Sequence, residues 1–196
     1  MAYTTEFSLF DGHGQRKYLN QEERQKFYSC AGQFPLEARL FCLMVYFTGA
    51  RISEIANLGV SRIDFSNKTV IIQTLKRRKK GVFRQVPLPD PLLEELRSYI
   101  GTLKAHPYYD ENRLWYFSTR TASRHIKAVM HMAEIKGHKA SARGLRHGFA
   151  VQAVMMVPIT QVQLWLGHAH LQTTTIYVQV SGTEERAMAE KLWASG

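Results

Sequence analysis

The chain has 196 residues, of which 45% are apolar and 21% are charged, a composition sufficient to bury the core of a single domain. Its 26 Lys and Arg residues exceed its 16 Asp and Glu residues and leave a net charge of +10, which predicts a polyanionic partner and favours nucleic acid. The longest apolar run, from Leu40 to Phe47, is far shorter than the roughly 20 residues of a membrane span, so we expect no membrane partner. The segment from Met1 to Lys17 lacks the apolar stretch of a secretory signal, so we expect a cytoplasmic location.

The N-terminal region is predicted to contain an arm followed by a helix. Asn20, with Glu23 three residues later, forms a capping pattern that starts a helix running to about Cys30. The preceding residues 1–19 are expected to be a flexible arm. Residues 20–196 are expected to form a single catalytic domain.

A second, strongly apolar helix is predicted from Pro35 to about Thr48, where Gly49 ends it. Ser53 is a good capping residue, so a short helix from there to Leu58 is expected to follow.

The pattern changes after the third helix, because short runs rich in β-branched and aromatic residues replace the helical spacing. The predicted strands are Arg62–Phe65, Thr69–Gln73 and Phe83–Val86. Ser66-Asn67 separates the first two and a basic turn separates the last two, which indicates a small antiparallel sheet.

Helical patterns return after the sheet and continue to the end of the chain. The predicted helices run from about Asp90 to Leu103, Ala122 to Lys136, Gly144 to Met156, Thr160 to Leu166, Gln172 to Val178 and Thr183 to Trp193. The fold class is therefore predicted to be mainly α with a small three-stranded antiparallel β-sheet.

No cofactor site is visible in the sequence. Cys30 and Cys42 lie in apolar helical stretches, which favours reduced, buried thiols over a disulfide. No cluster of Cys and His has the spacing of zinc ligands, and no glycine-rich phosphate loop occurs. We therefore expect no metal, no nucleotide and no other cofactor.

Metal-independent cleavage of a phosphodiester needs a nucleophile, cations that neutralise the phosphate and an acid for the leaving oxygen. Arg51, Arg146 and Tyr177 are candidates that carry little information singly. With their surroundings they closely resemble the catalytic domain of the tyrosine recombinases, or phage-type integrases. The resemblance rests on Thr48-Gly-Ala-Arg51-Ile-Ser-Glu54, Arg84-Gln-Val-Pro-Leu88, Gly144-Leu-Arg146-His-Gly-Phe-Ala150, and Leu166-Gly-His168 through Thr174 to Tyr177.

The resemblance implies that Arg51 and Arg146 grip the scissile phosphate. Guanidinium suits this role because it is permanently charged and bonds two phosphate oxygens at once. Glu54 follows Arg51 by three residues, so it is a candidate to hold that guanidinium in place, the alternative being an ordinary helix-surface Glu.

The same resemblance places a lysine at the end of the second strand, where the hairpin tip reaches into DNA and the lysine, as a general acid, protonates the leaving 5′ oxygen. Lys76 fits this position best and Lys79 is its rival. The remaining basic residues of the hairpin are expected to contact DNA phosphates, or simply to form a solvated turn: Arg77, Arg78, Lys79, Lys80 and Arg84.

Tyr177 is the implied nucleophile, nine residues after His168. An ordinary phenol, with a pKa of about 10, is scarcely ionised at neutral pH, and the arginine pair is expected to ease loss of its proton. His168 is expected to bond the phosphate or orient the site. His147 is expected to be a structural residue that packs within its helix.

Two features depart from the family pattern. Arg143 stands where a His is usual; Arg keeps the phosphate-binding role and, being always protonated, loses any part in proton movement. In addition, fifty residues precede Arg51, too few for the usual N-terminal core-binding domain, which indicates either a short form of the family or a fragment.

The resemblance implies a site-specific recombinase that cuts and rejoins double-stranded DNA through a 3′-phosphotyrosine, as a tetramer on two sites. The alternatives are a type IB topoisomerase-like enzyme and a non-catalytic DNA-binding regulator. The C-terminal helix at about 183–193 is expected either to exchange between subunits or to pack on its own core. The sequence leaves open both the DNA target and the choice among integration, excision, inversion and dimer resolution.

Overall fold

The computed structural model describes residues 8–75, 81–179 and 183–194. Its helices are α1 (Gln21–Ala31), α2 (Leu36–Thr48), α3 (Ile52–Ala56), α4 (Asp90–Lys104), α5 (Thr119–Met132), α6 (Ala142–Val154), α7 (Ile159–Leu166), α8 (Gln172–Thr175) and α9 (Thr183–Ala194). Short 3₁₀ helices cover Val60–Arg62 and Ile176–Val178. The mainly helical class predicted from the sequence is confirmed.

The three strands form one antiparallel sheet in the order β1 (Ile63–Asp64), β2 (Thr69–Gln73), β3 (Phe83–Pro87). Val70 pairs with Val86, and both side chains are buried against the helices. The predicted sheet is therefore confirmed, although β1 is shorter than expected because the preceding residues form a 3₁₀ turn.

Helix α2 is the centre of the main core. Its apolar residues lie on every side of the helix, so its neighbours α1, α4, α5 and α6 enclose it. Gly49 ends α2 with a positive φ of 59°. A Cβ atom at this position would lie 2.2 Å from the Phe149 ring, so only glycine allows α6 to approach the end of α2 this closely.

The caps explain where most helices begin. Asn20 and Glu23 form the predicted reciprocal capping box of α1. Ser53 does not cap α3, contrary to our expectation: Arg51 occupies the N-cap position, and the Glu54 carboxylate accepts a hydrogen bond from the Arg51 backbone N–H at 3.0 Å. Ser118 caps α5, which therefore begins at Thr119, earlier than predicted.

The C-terminal part forms a second, smaller core. Helix α6 contributes Ala150 and Val151, and the predicted helix at residues 172–178 divides into α8 and a 3₁₀ turn that buries Tyr177. Met188 of α9 packs against this cluster. The Tyr177 side chain is therefore packed within the smaller core.

The expectation of a flexible arm is wrong for residues 8–19. Leu9 and Tyr18 are buried in the smaller core, and Phe10 bridges to Arg16 across a turn that Asp11 stabilises by accepting two backbone hydrogen bonds. Leu9 and Tyr18 are enough to anchor this polar segment, because both side chains are buried. Residues 1–7 lie outside the described ranges.

Across the described ranges, no helix is long and apolar enough to cross a membrane. Both cysteines are free; Cys42 is buried, as predicted, whereas Cys30 is only partly buried.

Candidate active site

Four segments of the chain meet at one cleft. Arg51 stands at the start of α3, Arg143 and Arg146 lie on α6, His168 follows α7, and Tyr177 lies in the 3₁₀ turn after α8. The cleft has a volume of about 510 Å³ and is lined by Ser8, Arg51, Ile52, Ser53, Ala142, Arg143, Arg146, His147, His168, Thr173, Ile176 and Tyr177. The fold therefore gathers residues that are more than a hundred positions apart in the chain.

Arg146 lies almost completely buried at the floor of the cleft, 7% exposed. Its guanidinium donates to the backbone carbonyls of Gly49 at 2.7 Å and Leu166 at 2.9 Å, and it contacts His168 Nε2 at 3.0 Å. Burial, aided by the nearby charge of Arg51, lowers the pKa of Arg146 to about 10, so it remains a cation at neutral pH. The ends of α2 and α7 thus hold this cation in a fixed place.

Arg51 is held by Glu54, as the spacing of the two residues predicts. Arg51 Nη1 lies 3.0 Å from Glu54 Oε1, and the carboxylate is fully buried. Burial alone would raise the pKa of Glu54, but the charge and hydrogen bonds of Arg84, together with Arg51, outweigh it, so the pKa lies below its ordinary value. Glu54 is therefore an anion that sets the direction of the Arg51 side chain.

Arg84 corrects one prediction, because it is not a surface contact for DNA. Its side chain is 7% exposed and donates to Glu54 Oε2 at 2.6 Å, Thr74 Oγ1 at 2.9 Å and the Trp165 carbonyl at 2.7 Å. Its nitrogens are thus engaged within the protein. Arg84 connects β3 to α3 and α7, and it forms an ion pair with the Glu54 carboxylate, which in turn orients Arg51.

His168 is buried between Arg146 and Thr174. Its Nε2 faces Arg146 and its Nδ1 lies 2.9 Å from Thr174 Oγ1. Its ring stacks on that of Tyr177 with centroids 6.1 Å apart. Burial, with the charge of Arg146, lowers the pKa of His168 to about 3, so the ring is neutral. In this position His168 orients Arg146. The contact of Thr174 with His168 could not be predicted from the sequence beyond the place of Thr174 in the motif.

Tyr177 is 2% exposed, and its hydroxyl lies 3.0 Å from His147 Nδ1. Burial raises the pKa of the Tyr177 phenol above its ordinary value, and Arg146, Arg51 and Arg143 pull it only partly back. The arginines therefore do not ionise the phenol by themselves.

His147 corrects a second prediction. Instead of packing within its helix, it lines the cleft between Tyr177 and Arg143, whose Nε lies 3.2 Å from His147 Nε2. Burial, with the charges of Arg143 and Arg146, lowers the pKa of His147 to about 4. The signal for this contact was in the sequence, because Arg143 and His147 are four residues apart on one helix.

The residues predicted for the hairpin tip, Lys76, Arg77, Arg78, Lys79 and Lys80, lie outside the described residues. Thr74, the residue after β2, lies beside Gly167, which directly precedes His168 of the cleft: its Oγ1 is 3.0 Å from the position that a Cβ of Gly167 would take. Among the side chains that the structure describes, no three His, Cys, Asp or Glu residues cluster as a metal site.

Comparison with known proteins establishes the family. A profile of the phage integrase family matches residues 17–184. This chain belongs to the phage integrase family. Tyrosine recombinase XerA of Pyrococcus furiosus is 32% identical to it over 181 residues, covering 89% of this chain and 61% of the relative. A tyrosine recombinase of Thermosipho africanus is 33% identical over 150 residues, covering 76% of this chain and 52% of the relative.

Solved structures of phage integrase family proteins share the fold. A crystal structure of XerA recombinase matches with a TM-score of 0.78 at 24% identity, covering 89% of this chain and 64% of that one. A XerH site-specific recombinase bound to its palindromic difH substrate, in a post-cleavage complex, matches with a TM-score of 0.75 at 24% identity, covering 90% and 53%. The chain therefore spans about three fifths of the length of the first curated relatives it matches, such as the XerA protein at 61%.

The two neutral histidines of this integrase-family site predict an acid-sensitive fold. In the unfolded chain each takes up a proton below about pH 6.5, whereas in the folded protein His147 and His168 do so only near pKa values of about 4 and about 3. The unfolded state therefore binds more protons in this window, and stability falls as pH falls. We expect the free energy of unfolding to drop by about 2 to 4 kcal/mol between pH 7 and pH 5.

Urea unfolding at the two pH values measures this drop. His147→Gln should reduce the drop, whereas His131→Gln, at an exposed position of α5, should leave it unchanged. Equal unfolding free energies at pH 7 and pH 5 would show that these histidines are not held neutral.

Proposed function

We propose that this chain is a site-specific DNA recombinase in which Tyr177 is the nucleophile and Arg51, Arg143 and Arg146 bind the scissile phosphate. The observation that carries the proposal is the common cleft: the tyrosine hydroxyl and three guanidinium groups line the same cavity, and Glu54 is the anion that faces Arg51. A cavity of this charge suits a phosphodiester.

In the proposed reaction the Tyr177 oxygen attacks phosphorus. An O–P bond to the tyrosine forms, the bond from phosphorus to the 5′ oxygen breaks, the phenol loses its proton, and the 5′ oxygen gains one. Lys76 is the proposed acid for that oxygen. Rejoining is the reverse, with a 5′ hydroxyl displacing the tyrosine, so the ester conserves the energy of the broken bond and no cofactor is consumed.

Arg51 and Arg146 serve this step by neutralising the charge that builds on the phosphoryl oxygens. Both are held before substrate binds, Arg51 by Glu54 and Arg146 by two backbone carbonyls and His168. Such preorganisation means that little reorganisation is needed when DNA arrives.

The proposed partner is double-stranded DNA. Helix α5 supports this, because Arg120, Arg124 and Lys127 are exposed and lie at spacings of four and three residues, on one face of the helix. Together with the net charge of +10, this stripe suits the phosphate backbone. The XerH relative was solved on its difH DNA, which is consistent with such a partner here.

We further propose that the chain acts as a homo-oligomer, a tetramer when two DNA sites are paired. Helix α9 supports a subunit contact, because Leu192 is 73% exposed and Trp193 is 64% exposed near its end, whereas Met188 packs against the smaller core. Apolar side chains exposed to this extent favour burial against a neighbour.

A nicked-duplex trap tests the proposed cleavage. The chain is incubated with duplexes of randomised sequence that carry a nick close to the cleavage point. Cleavage then releases a short fragment with the free 5′ hydroxyl, and because this fragment diffuses away, rejoining is prevented. We expect the wild-type chain to yield protein–DNA complexes that survive SDS and boiling, with enrichment of one sequence. If the chain retards these duplexes in native gels but yields no covalent complex, it is a non-catalytic DNA-binding protein and the proposal fails.

A further inference from the structure

A line of two contacts runs along the wall of the cleft from Arg143 to the tyrosine. Arg143 Nε lies 3.2 Å from His147 Nε2, and His147 Nδ1 lies 3.0 Å from the Tyr177 hydroxyl oxygen. Arg143 and His147 are one helical turn apart on α6, and Tyr177 packs against that turn from the smaller core. The imidazole therefore has a different partner at each nitrogen.

The chemistry of arginine decides which nitrogen carries the hydrogen. Guanidinium has N–H donors and no acceptor, and it stays protonated in proteins. The Arg143 Nε–H therefore requires His147 Nε2 to be an acceptor. A hydrogen on Nε2 would set two donors against each other at 3.2 Å.

The imidazole is neutral, because burial and the charges of Arg143 and Arg146 lower the pKa of His147 to about 4. A neutral imidazole has one N–H and one acceptor nitrogen. With Nε2 accepting from Arg143, the hydrogen resides on Nδ1, which points at the oxygen of Tyr177.

We propose that His147 is a catalytic residue that donates a hydrogen bond from Nδ1 to the Tyr177 oxygen, and that Arg143, in addition to its proposed contact with the phosphate, positions His147 by fixing it in this tautomer. The inference rests on the proposed role of Tyr177 as nucleophile. A donor at this oxygen stabilises the negative charge that develops as the phenol ionises.

This assignment determines where the phenol proton goes. His147 Nδ1 already holds a hydrogen, so it is not the base. The Tyr177 proton instead passes to a non-bridging oxygen of the bound phosphodiester, and from there to water, while the O–P bond to tyrosine forms and the 5′ oxygen leaves with a proton from its acid. Arg143, which cannot accept a proton, thus contributes by keeping His147 a donor.

His168 provides an internal reference for the same reasoning. Arg146 Nη2 faces its Nε2 at 3.0 Å, and its Nδ1 lies 2.9 Å from Thr174 Oγ1. It should therefore show the same tautomer, set by Arg146 and not by Arg143.

Histidine tautomers are read directly by ¹⁵N-histidine NMR of the full chain without DNA, with His147→Asn used to assign the His147 signals. We expect Nδ1–H for both His147 and His168. In Arg143→Leu, His147 should move towards the Nε2–H form while His168 stays unchanged. A wild-type His147 that is Nε2–H, or one that does not respond to Arg143→Leu, would overturn the role of Arg143.

The nicked-duplex trap then separates a donor from a base. His147→Phe removes the N–H and should slow adduct formation by about 10²-fold, at unchanged retardation of DNA. His147→Asn places an amide N–H close to the position of Nδ1 but accepts no proton, so it should recover most of the rate. An Asn variant as slow as the Phe variant would overturn the donor role. If wild type forms no adduct at all, the proposed function fails, and the NMR result still reports the tautomer on its own.

Discussion

Tyr177→Phe is expected to abolish covalent attachment to DNA, with a loss of at least about 10⁴-fold in adduct formation, because no other group replaces a missing nucleophile. The ring fills the smaller core and is 2% exposed, and Phe keeps that packing. The change removes the hydroxyl together with its contacts to His147 and Arg146. The cost in stability should therefore be about 1 kcal/mol.

The measurement is the nicked-duplex trap, with native-gel retardation of the same duplex as a parallel readout. Tyr18→Phe is the matched control, because Tyr18 is also a buried tyrosine of the smaller core. The control should keep adduct formation, and both variants should keep DNA retardation. Adduct formation by Tyr177→Phe at the wild-type rate would mean that another residue is the nucleophile.

Arg146→Lys is expected to reduce adduct formation by about 10³-fold or more, although the charge is conserved. Lys offers a point charge that cannot reach the Gly49 carbonyl, the Leu166 carbonyl and His168 at once, as the guanidinium does. The variant therefore loses both the planar grip on phosphate and the fixed position of the cation. Leaving buried carbonyls without a donor should also cost about 2 to 4 kcal/mol of stability.

The rate and the stability must be measured separately for Arg146→Lys. Adduct formation is followed at a temperature where circular dichroism shows the variant to be folded, and urea unfolding gives the stability. Arg113→Lys, at an exposed position away from the cleft, should change neither quantity. A rate within 10-fold of wild type for folded Arg146→Lys would remove Arg146 from the proposed phosphate grip.

Local signals in the sequence predicted most of the fold. Reciprocal capping at Asn20 and the left-handed Gly49 fix helix ends through contacts a few residues apart, so they are visible without the tertiary structure. The strands β2 and β3 carry enough β-branched and aromatic residues to be recognised. The family motifs then predicted which distant residues would meet.

Contacts between distant segments account for the wrong predictions. Arg84 lies in a basic hairpin and therefore resembles a DNA contact in the sequence. Its partners Glu54 and Trp165 belong to α3 and α7, and only the folded chain brings them close to Arg84. Residues 8–19 look polar along the sequence, yet Leu9 and Tyr18 are buried against helices more than a hundred residues away. Burial of this kind has no local pattern.

In the structure, activation of Tyr177 depends on more than the arginine pair. The sequence suggested that the arginine pair eases ionisation, whereas burial keeps the pKa of Tyr177 above its ordinary value despite Arg146 and Arg51. Ionisation is therefore expected only with phosphate in the cleft and with a hydrogen bond to the oxygen. His147, four residues after Arg143, is placed to supply such a bond in addition to Arg146.

The identity of the residue attached to DNA shows directly whether Tyr177 is the nucleophile. The covalent complex from the nicked-duplex trap is digested with nuclease and protease, and the peptide that retains a nucleotide is sequenced by mass spectrometry. We expect a phosphodiester-linked nucleotide on Tyr177. A nucleotide on any other residue, with Tyr177 unmodified, would contradict it.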